Sequence, residues 1–262
     1  MDPKSLELLE DALRKTMLST SGAELDAALA ELGWADMLTD MPDLAIPLVF
    51  RLLGETGSHA SVLNDVVRQT AGRVTDDLPA LPYAGGLYVV WDYSDTSSRA
   101  LDGLPLRRAS DGEPLYLTAG RRAVGWWLVG SARAMLNLAC RHALDRVQFG
   151  KPIASFQAVR HRLAETLVAI EGAEATLDLP GVDNPDLTAL LAKAAAGKAA
   201  LTAAKNCQQV LGGIGFTAEH ELHHHVKRVL VLDQLLGSSK ELTKKAGAGL
   251  RARGSTPRLA QL

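Results

Sequence analysis

Hydrophobic positions recur at helical spacing through most of the chain. Leu6, Leu9, Leu13 and Met17 follow one another at three- and four-residue steps, which places them on one face of a helix. Ser21 with Glu24 three residues later has the form of a capping box that opens a helix running through Leu32. DLAIPLVFRLLGETG reads as a short apolar helix interrupted by Pro47, and SHASVLNDVVRQTAG as another helix, so the first third is all α. Residues 76–118 change character. Pro79, Pro82, Pro105 and Pro114 punctuate them, LYVVWDY (Leu87 to Tyr93) has strand composition, and LDGLPLRR and EPLYLTAG predict two further short strands around a polar turn at Ser110 to Gly112. Such a segment suffices for a small antiparallel sheet but not for an independent barrel.

From Gly120 onward the helical period returns in four long patterns, near residues 121–147, 155–178, 184–211 and 219–236, with a shorter one near 238–250. In the second, Phe156, Val159, Leu163, Leu167 and Ile170 form the apolar stripe, with Arg160, Arg162 and Glu165 on the wet side; the third is Ala-rich and favours close helix packing. Short connections between long amphipathic helices predict an antiparallel four-helix bundle. The expected organisation is therefore mainly α: an N-terminal helical domain (1–75), a reduced β segment (76–118), a C-terminal bundle (119–250) and a tail (251–262).

Composition narrows the function classes. With 47% hydrophobic and 22% charged residues in 262, the chain can bury a substantial core. A net charge of −2 gives no basic field, so nucleic acid is not an expected partner. Cys140 and Cys207 lie inside apolar helical patterns without metal or disulfide spacing, which predicts buried thiols in a reducing compartment. The N-terminus lacks the apolar stretch of a signal peptide, and the apolar segment from Ala123 to Cys140 is broken by Ser131, Arg133 and Asn137. A cytoplasmic protein with no membrane span is expected.

Two motifs stand out, ALDRVQFGKPIASFQAV ending at Val159 and NCQQVLGGIGF ending at Phe216. Taken singly, Arg146 is a cation suited to its own helix C-terminus, Phe149 a core anchor, Gln157 and Gln209 solvated helix residues, and Gly212, Gly213 and Gly215 a helix-ending device. In this order and combination they resemble the C-terminal domain of the acyl-CoA dehydrogenase family, and the helical N-terminal region, with its ELGW and RLLGETG segments, is similar to that family's N-terminal domain. The resemblance implies FAD bound across a subunit interface, with Arg146 pairing with the pyrophosphate and Gln148 and Phe149 lining the dinucleotide. Gln157 would bond further along it, and Gln209 and Gly213 would meet its adenine and ribose end. A planar multi-donor cation suits a pyrophosphate, and a glycine admits close backbone approach.

The family's chemistry needs a carboxylate to remove the α-proton of a thioester while hydride leaves for the flavin. Most members carry that Glu in a Y-E-G-T segment, which falls here on Leu235-Leu236-Gly237-Ser238, so Leu236 holds the base position; a minority place it before an Arg where this chain has Gly120-Arg121. Neither residue can take a proton. The family's T-E-P-x-x-G-S-D and W-I-T/S segments are also missing from residues 76–118. An intact dinucleotide grip with no base resembles the auxiliary subunit of heteromeric acyl-CoA dehydrogenases, two-plus-two tetramers known among steroid-CoA and cholesterol catabolism enzymes. The resemblance implies a FAD shared with a catalytic partner subunit. Two alternatives stand beside it: a self-sufficient homo-oligomer with Asp233, Glu241 or Glu219 as a displaced base, and a flavin-free structural subunit. Asp233 is one turn from Leu236, a displacement of about 5 Å. His220, His223, His224 and His225 lack a third metal ligand at recognisable spacing and read as a polar, partly exposed helical face, with no metal. KELTKK reads as a solvated helix.

Overall fold

The structure, a computed structural model, describes residues 2–71, 78–93, 104–179 and 184–256. Five helices come first: α1 (Pro3–Ser19), α2 (Ala23–Glu31), α3 (Trp34–Asp40), α4 (Pro42–Thr56) and α5 (Val62–Ala71). Asp2 caps α1 by accepting from the Lys4 and Ser5 amides, and Leu13 and Met17 from the expected stripe are buried. The expected capping box on α2 does not form. Its N-cap is Gly22, at φ 66°, and the Ser21 hydroxyl is instead engaged with His59 Nδ1 at 3.0 Å. Nor does Pro47 interrupt its helix: α4 starts at Pro42, continues through Pro47, and forgoes one backbone hydrogen bond.

A three-stranded antiparallel sheet follows, β1 (Leu81–Tyr83), β2 (Leu87–Trp91) and β3 (Leu106–Ala109), in the order β1-β2-β3. The expected strand in EPLYLTAG is absent; residues 111–117 are irregular and lead directly into α6. The strand expected in LDGLPLRR is confined to β3 and a bridge at Leu104.

The bundle is α6 (Thr118–Asp145), α7 (Gln157–Asp178), α8 (Pro185–Leu211) and α9 (Leu222–Gln234), with α10 (Ser239–Arg253) against α8. The larger of two hydrophobic clusters among the described residues runs from Leu13 to Leu236 and includes the T-shaped pair of Phe50 and Trp127, while Leu190, Ala194 and Leu242 form a small second one between α8 and α10. Helices α4 and α6 meet at glycines: a Cβ on Gly54 or on Gly130 would run into the backbone of the facing helix. α8 is long and apolar enough to cross a membrane by length and composition, yet 61% of that window is buried inside the fold. α7 is more exposed than its sequence stripe implies. Ile170 is buried, Val159 and Leu163 are partly covered, Leu167 faces outward, and Phe156 lies just before the helix as its N-cap. Both cysteines are unpaired; Cys207 is buried, its thiol pushed up to about 12, while Cys140 is only partly covered.

Candidate functional site

At the C-terminus of α6 the chain makes a two-residue hairpin, with β4 (Val147–Gln148) antiparallel to β5 (Lys151–Pro152). Its turn residues, Phe149 at φ 54° and Gly150 at φ 76°, are both left-handed, the geometry that matches the twist of a tight hairpin. Gly150 adopts it freely, whereas Phe149 does so at a cost of about 1 kcal/mol. Phe149 is not the core anchor its type allows: it is 91% exposed, touching only the edge of Phe156 at 6.0 Å between ring centroids. Lys151 Nζ lies 4.7 Å above the Phe156 ring, and Ile153 N–H donates to Arg146 O at 2.8 Å to close the hairpin base.

All six residues of the expected grip gather at this end. Arg146 is the C-cap of α6, Gln148 and Phe149 are in the hairpin, and Gln157 opens α7. The last turns of α8 lie beside the first turns of α7, tied by Asn206 Nδ2 donating to Thr166 Oγ1 at 3.1 Å, so Gln209 and Gly213 arrive at the same end. All six are exposed. Gln148 donates to its neighbour's carbonyl, Val147 O, at 2.7 Å, and among the described residues the Arg146 guanidinium has no hydrogen bond or ion pair. Arg141, Lys151, Arg160 and Lys205 add exposed positive charge.

The three glycines serve different needs. Gly212 is left-handed at φ 65°, and a Cβ on Gly215 would strike Gln208 O at 2.7 Å. Gly213 has neither constraint: its Cβ would meet nothing within 4 Å. Nothing among the described residues requires glycine there, which fits a position kept bare for something outside the chain. Unpaired cations, amides, an exposed aromatic ring and a bare backbone are a donor set suited to an anionic, aromatic dinucleotide such as FAD.

The opposite end of α6 is closed. Gly120 and Leu236, the two positions onto which the resemblance maps the family's base, converge on one point, for a Cβ on Gly120 would stand 3.1 Å from Leu236 Cδ1 and 3.1 Å from Val67 Cγ2. Leu236 is fully buried and left-handed at φ 59°. Its backbone is held on both sides, with its N–H donating to Pro82 O at 2.7 Å and its carbonyl accepting from Arg121 Nε at 3.3 Å. A cleft of about 560 Å³, lined by Tyr83, Tyr88, Tyr116 and Arg121 among others, adjoins this turn.

The carboxylates nearby are engaged. Asp233 is buried, accepts from Ser239 N–H and Gln234 Nε2, each at 3.1 Å, and sits in the space that Gly197 leaves open. Glu241 completes a capping box with Ser238 on α10 and accepts from Gly85 N–H at 2.9 Å; these bonds hold its carboxyl below the usual range. Glu219 is exposed on the surface. Beneath the turn, Lys193 is fully buried and donates to Asp233 O at 2.8 Å and Gly237 O at 2.7 Å. Burial pushes its pKa down to about 7, with Asp233 opposing that shift. Sequence reasoning passed over Lys193, one of three lysines on α8, because nothing local separates it from the exposed Lys198 and Lys205.

The histidine run divides. His223 stacks on His224 at 3.8 Å, His220 Nδ1 accepts from Leu222 N–H, and His225 is buried rather than part of a wet face. No group of three metal-ligating side chains forms among the described residues.

Residues 115–247, about half of the chain, match the family described as acyl-CoA dehydrogenase, C-terminal domain. The acyl-CoA dehydrogenase IpdE2 of Mycobacterium tuberculosis is 41% identical over 118 residues, 45% of this chain and 37% of that protein. FadE34 of the same organism is 39% identical over 136 residues, 47% of this chain and 19% of that protein. The matched part thus spans well under half the length of these curated relatives. Among solved structures, a chain of the Tcur3481-Tcur3483 steroid ACAD G363A variant superimposes with TM-score 0.74 at 17% identity, covering 96% of this chain and 98% of that one. A chain of the ChsE4-ChsE5 complex from Mycobacterium tuberculosis gives 0.67 at 15% identity, covering 98% and 99%. At such identities the fold is what is shared. This chain belongs to the acyl-CoA dehydrogenase family.

Proposed function

We propose that the chain is the auxiliary subunit of a heteromeric, FAD-dependent acyl-CoA dehydrogenase. Arg146, Gln148, Phe149, Gln157, Gln209 and Gly213 would hold the adenosine diphosphate half of a FAD whose ring, together with the catalytic Glu, belongs to a partner subunit. The observation that carries this is the contrast along α6: an open, cationic, unpaired end at Arg146 and an apolar plug of Gly120, Leu236 and Val67 where a base would stand. When bound, FAD would supply the hydride acceptor. What this chain contributes is charge against the diphosphate, amide hydrogen bonds, and an aromatic surface that excludes water. A solved neighbour named as a steroid ACAD supports a steroid-CoA substrate, and one named as the ChsE4-ChsE5 complex supports a partner subunit; a two-plus-two assembly in the cytoplasm belongs to the same proposal.

The self-sufficient alternative finds less support, because Asp233 and Glu241 are each bound by two or more donors and Asp233 is buried. Absorbance near 450 nm, read for the purified chain and for the chain co-expressed with its genomic neighbour, tests the proposal. Flavin in the mixture alone is the expected result. A yellow, active homo-oligomer would overturn it, and no flavin in either sample would leave a purely structural subunit.

A further inference from the structure

Away from the cofactor end, α9 packs on the loop joining α4 to α5 through two side chains that the proposed function does not use. Arg228 Nη1 donates to Ser58 O at 2.9 Å, while its Nε is sealed from water and has no acceptor. His225, three residues earlier on the same helix, is 8% exposed, and its Nδ1 also lacks a partner. Gly57, left-handed at φ 72°, lets the ring in, for a Cβ there would stand 3.4 Å from His225 Cε1. His59 closes the loop side, its Nδ1 already shared with the Ser21 hydroxyl.

No carboxylate among the described residues pairs with Arg228. Burial pushes the guanidinium down to about 10 with no counter-charge among the described residues to oppose it, and the charged groups among those residues that act on His225 are Arg228 and His224, both positive when protonated. Arg228 is half-buried with its Nε sealed, and a guanidinium partly withdrawn from water with no counter-charge among the described residues gains from an anionic partner. The hydrogen-bond inventory points the same way. Arg228 Nε can only donate, and His225 Nδ1 donates in one of its two neutral tautomers. The place has donors and positive charge to spare and is short of a negatively charged acceptor.

We propose that Arg228 and His225, at the junction of α9 with the α4–α5 loop, bind a small oxyanion, a carboxylate or phosphate group. Its source is either a free anion or a carboxylate side chain of a neighbouring subunit, and neither depends on the flavin site. The test is thermal denaturation of the full chain in rising acetate or inorganic phosphate, against sodium chloride at matched ionic strength. A saturable rise in Tm of about 2–5 °C is expected. Arg228→Met, which replaces the charge with an apolar chain of similar length, should abolish the response, and His225→Phe should shift its midpoint about tenfold higher. The same titration on the co-expressed complex separates the sources: a retained response means a free anion, and a lost one means a carboxylate supplied by the partner. No rise in the wild-type chain, or an equal rise in Arg228→Met, overturns the proposal.

Discussion

Only two non-glycine residues among those described sit in the left-handed region, Phe149 and Leu236, and they are opposites. Leu236 is fully buried, with its backbone clamped by Pro82 and Arg121 and its turn held from below by Lys193. Phe149 is almost fully exposed and rests on one ring edge. The unfavourable dihedral at Leu236 is offset inside the chain, and the one at Phe149 is not. The first position draws its support from the fold, whereas in the proposed function the second would draw it from a contact outside the chain. The same asymmetry separates Gly120, whose missing side chain makes room for Leu236, from Gly213, whose missing side chain makes room for nothing in this chain.

The comparison can be broken from its foundation upward. Gly130→Val should be the most damaging change, since its Cβ would strike the α4 backbone at Arg51; a loss of at least about 3 kcal/mol is expected in urea denaturation. Leu236→Glu puts a carboxylate among Gly120, Val67 and Leu63 and should cost about 3 kcal/mol by the same measurement. Unchanged stability would mean that the closed end is not packed as described.

Acid should come next in effect. Burial pushes His59 and His225 down from 6.5 to about 4, with the nearby Arg228 adding to both shifts, so the folded chain holds them neutral while the unfolded chain protonates them first. Their contribution to stability is whole above pH 6.5, declines as pH falls, and is gone below about 4. Replacing His59 with Asn should flatten part of the decline in a pH series of denaturation midpoints.

The smallest effects belong to the open end. Phe149→Asn relieves the left-handed backbone and should stabilise the isolated chain by a few tenths to about 1 kcal/mol while lowering the flavin retained by the co-expressed complex. Arg146→Ala should leave the Tm within about 1 °C and still reduce that flavin. If both variants kept full flavin, the open end would have no claim on the cofactor.

Much of this was legible in the letters. The bundle helices announced themselves through periodicity, because burial on one face forces a 3.6-residue repeat, whereas the hairpin at Phe149-Gly150 did not, since a non-glycine residue at its first turn position hides the usual turn signal. Local grammar failed where distant atoms competed for the same group. Ser21 and Glu24 have the form of a capping box, yet His59 claimed the serine hydroxyl; Ser238 and Glu241 have that form too, and there the box closed because Gly85 adds a donor to the glutamate instead of diverting the serine. EPLYLTAG has strand composition but pairs with no strand among the described residues. Leu236 could be read as a lost base, but its meeting with Gly120 could not, since the two lie on segments brought together only by the folded core. Lys193 and the sealed Nε of Arg228 were missed because a charge written in a sequence carries no sign of which of its atoms the fold will cover.

Helix α6 carries Gly120 in its first turn and hands over to Arg146 at its end, 28 residues in one unbroken rod about 42 Å long. In the proposed function it would work as a spacer between a workplace without its base and a handhold for the cofactor, too long for a small ligand to bridge and too stiff to fold back. Each end can be rewritten without disturbing the other. A lineage could thus shed proton chemistry at one end while selection continued to act on the other.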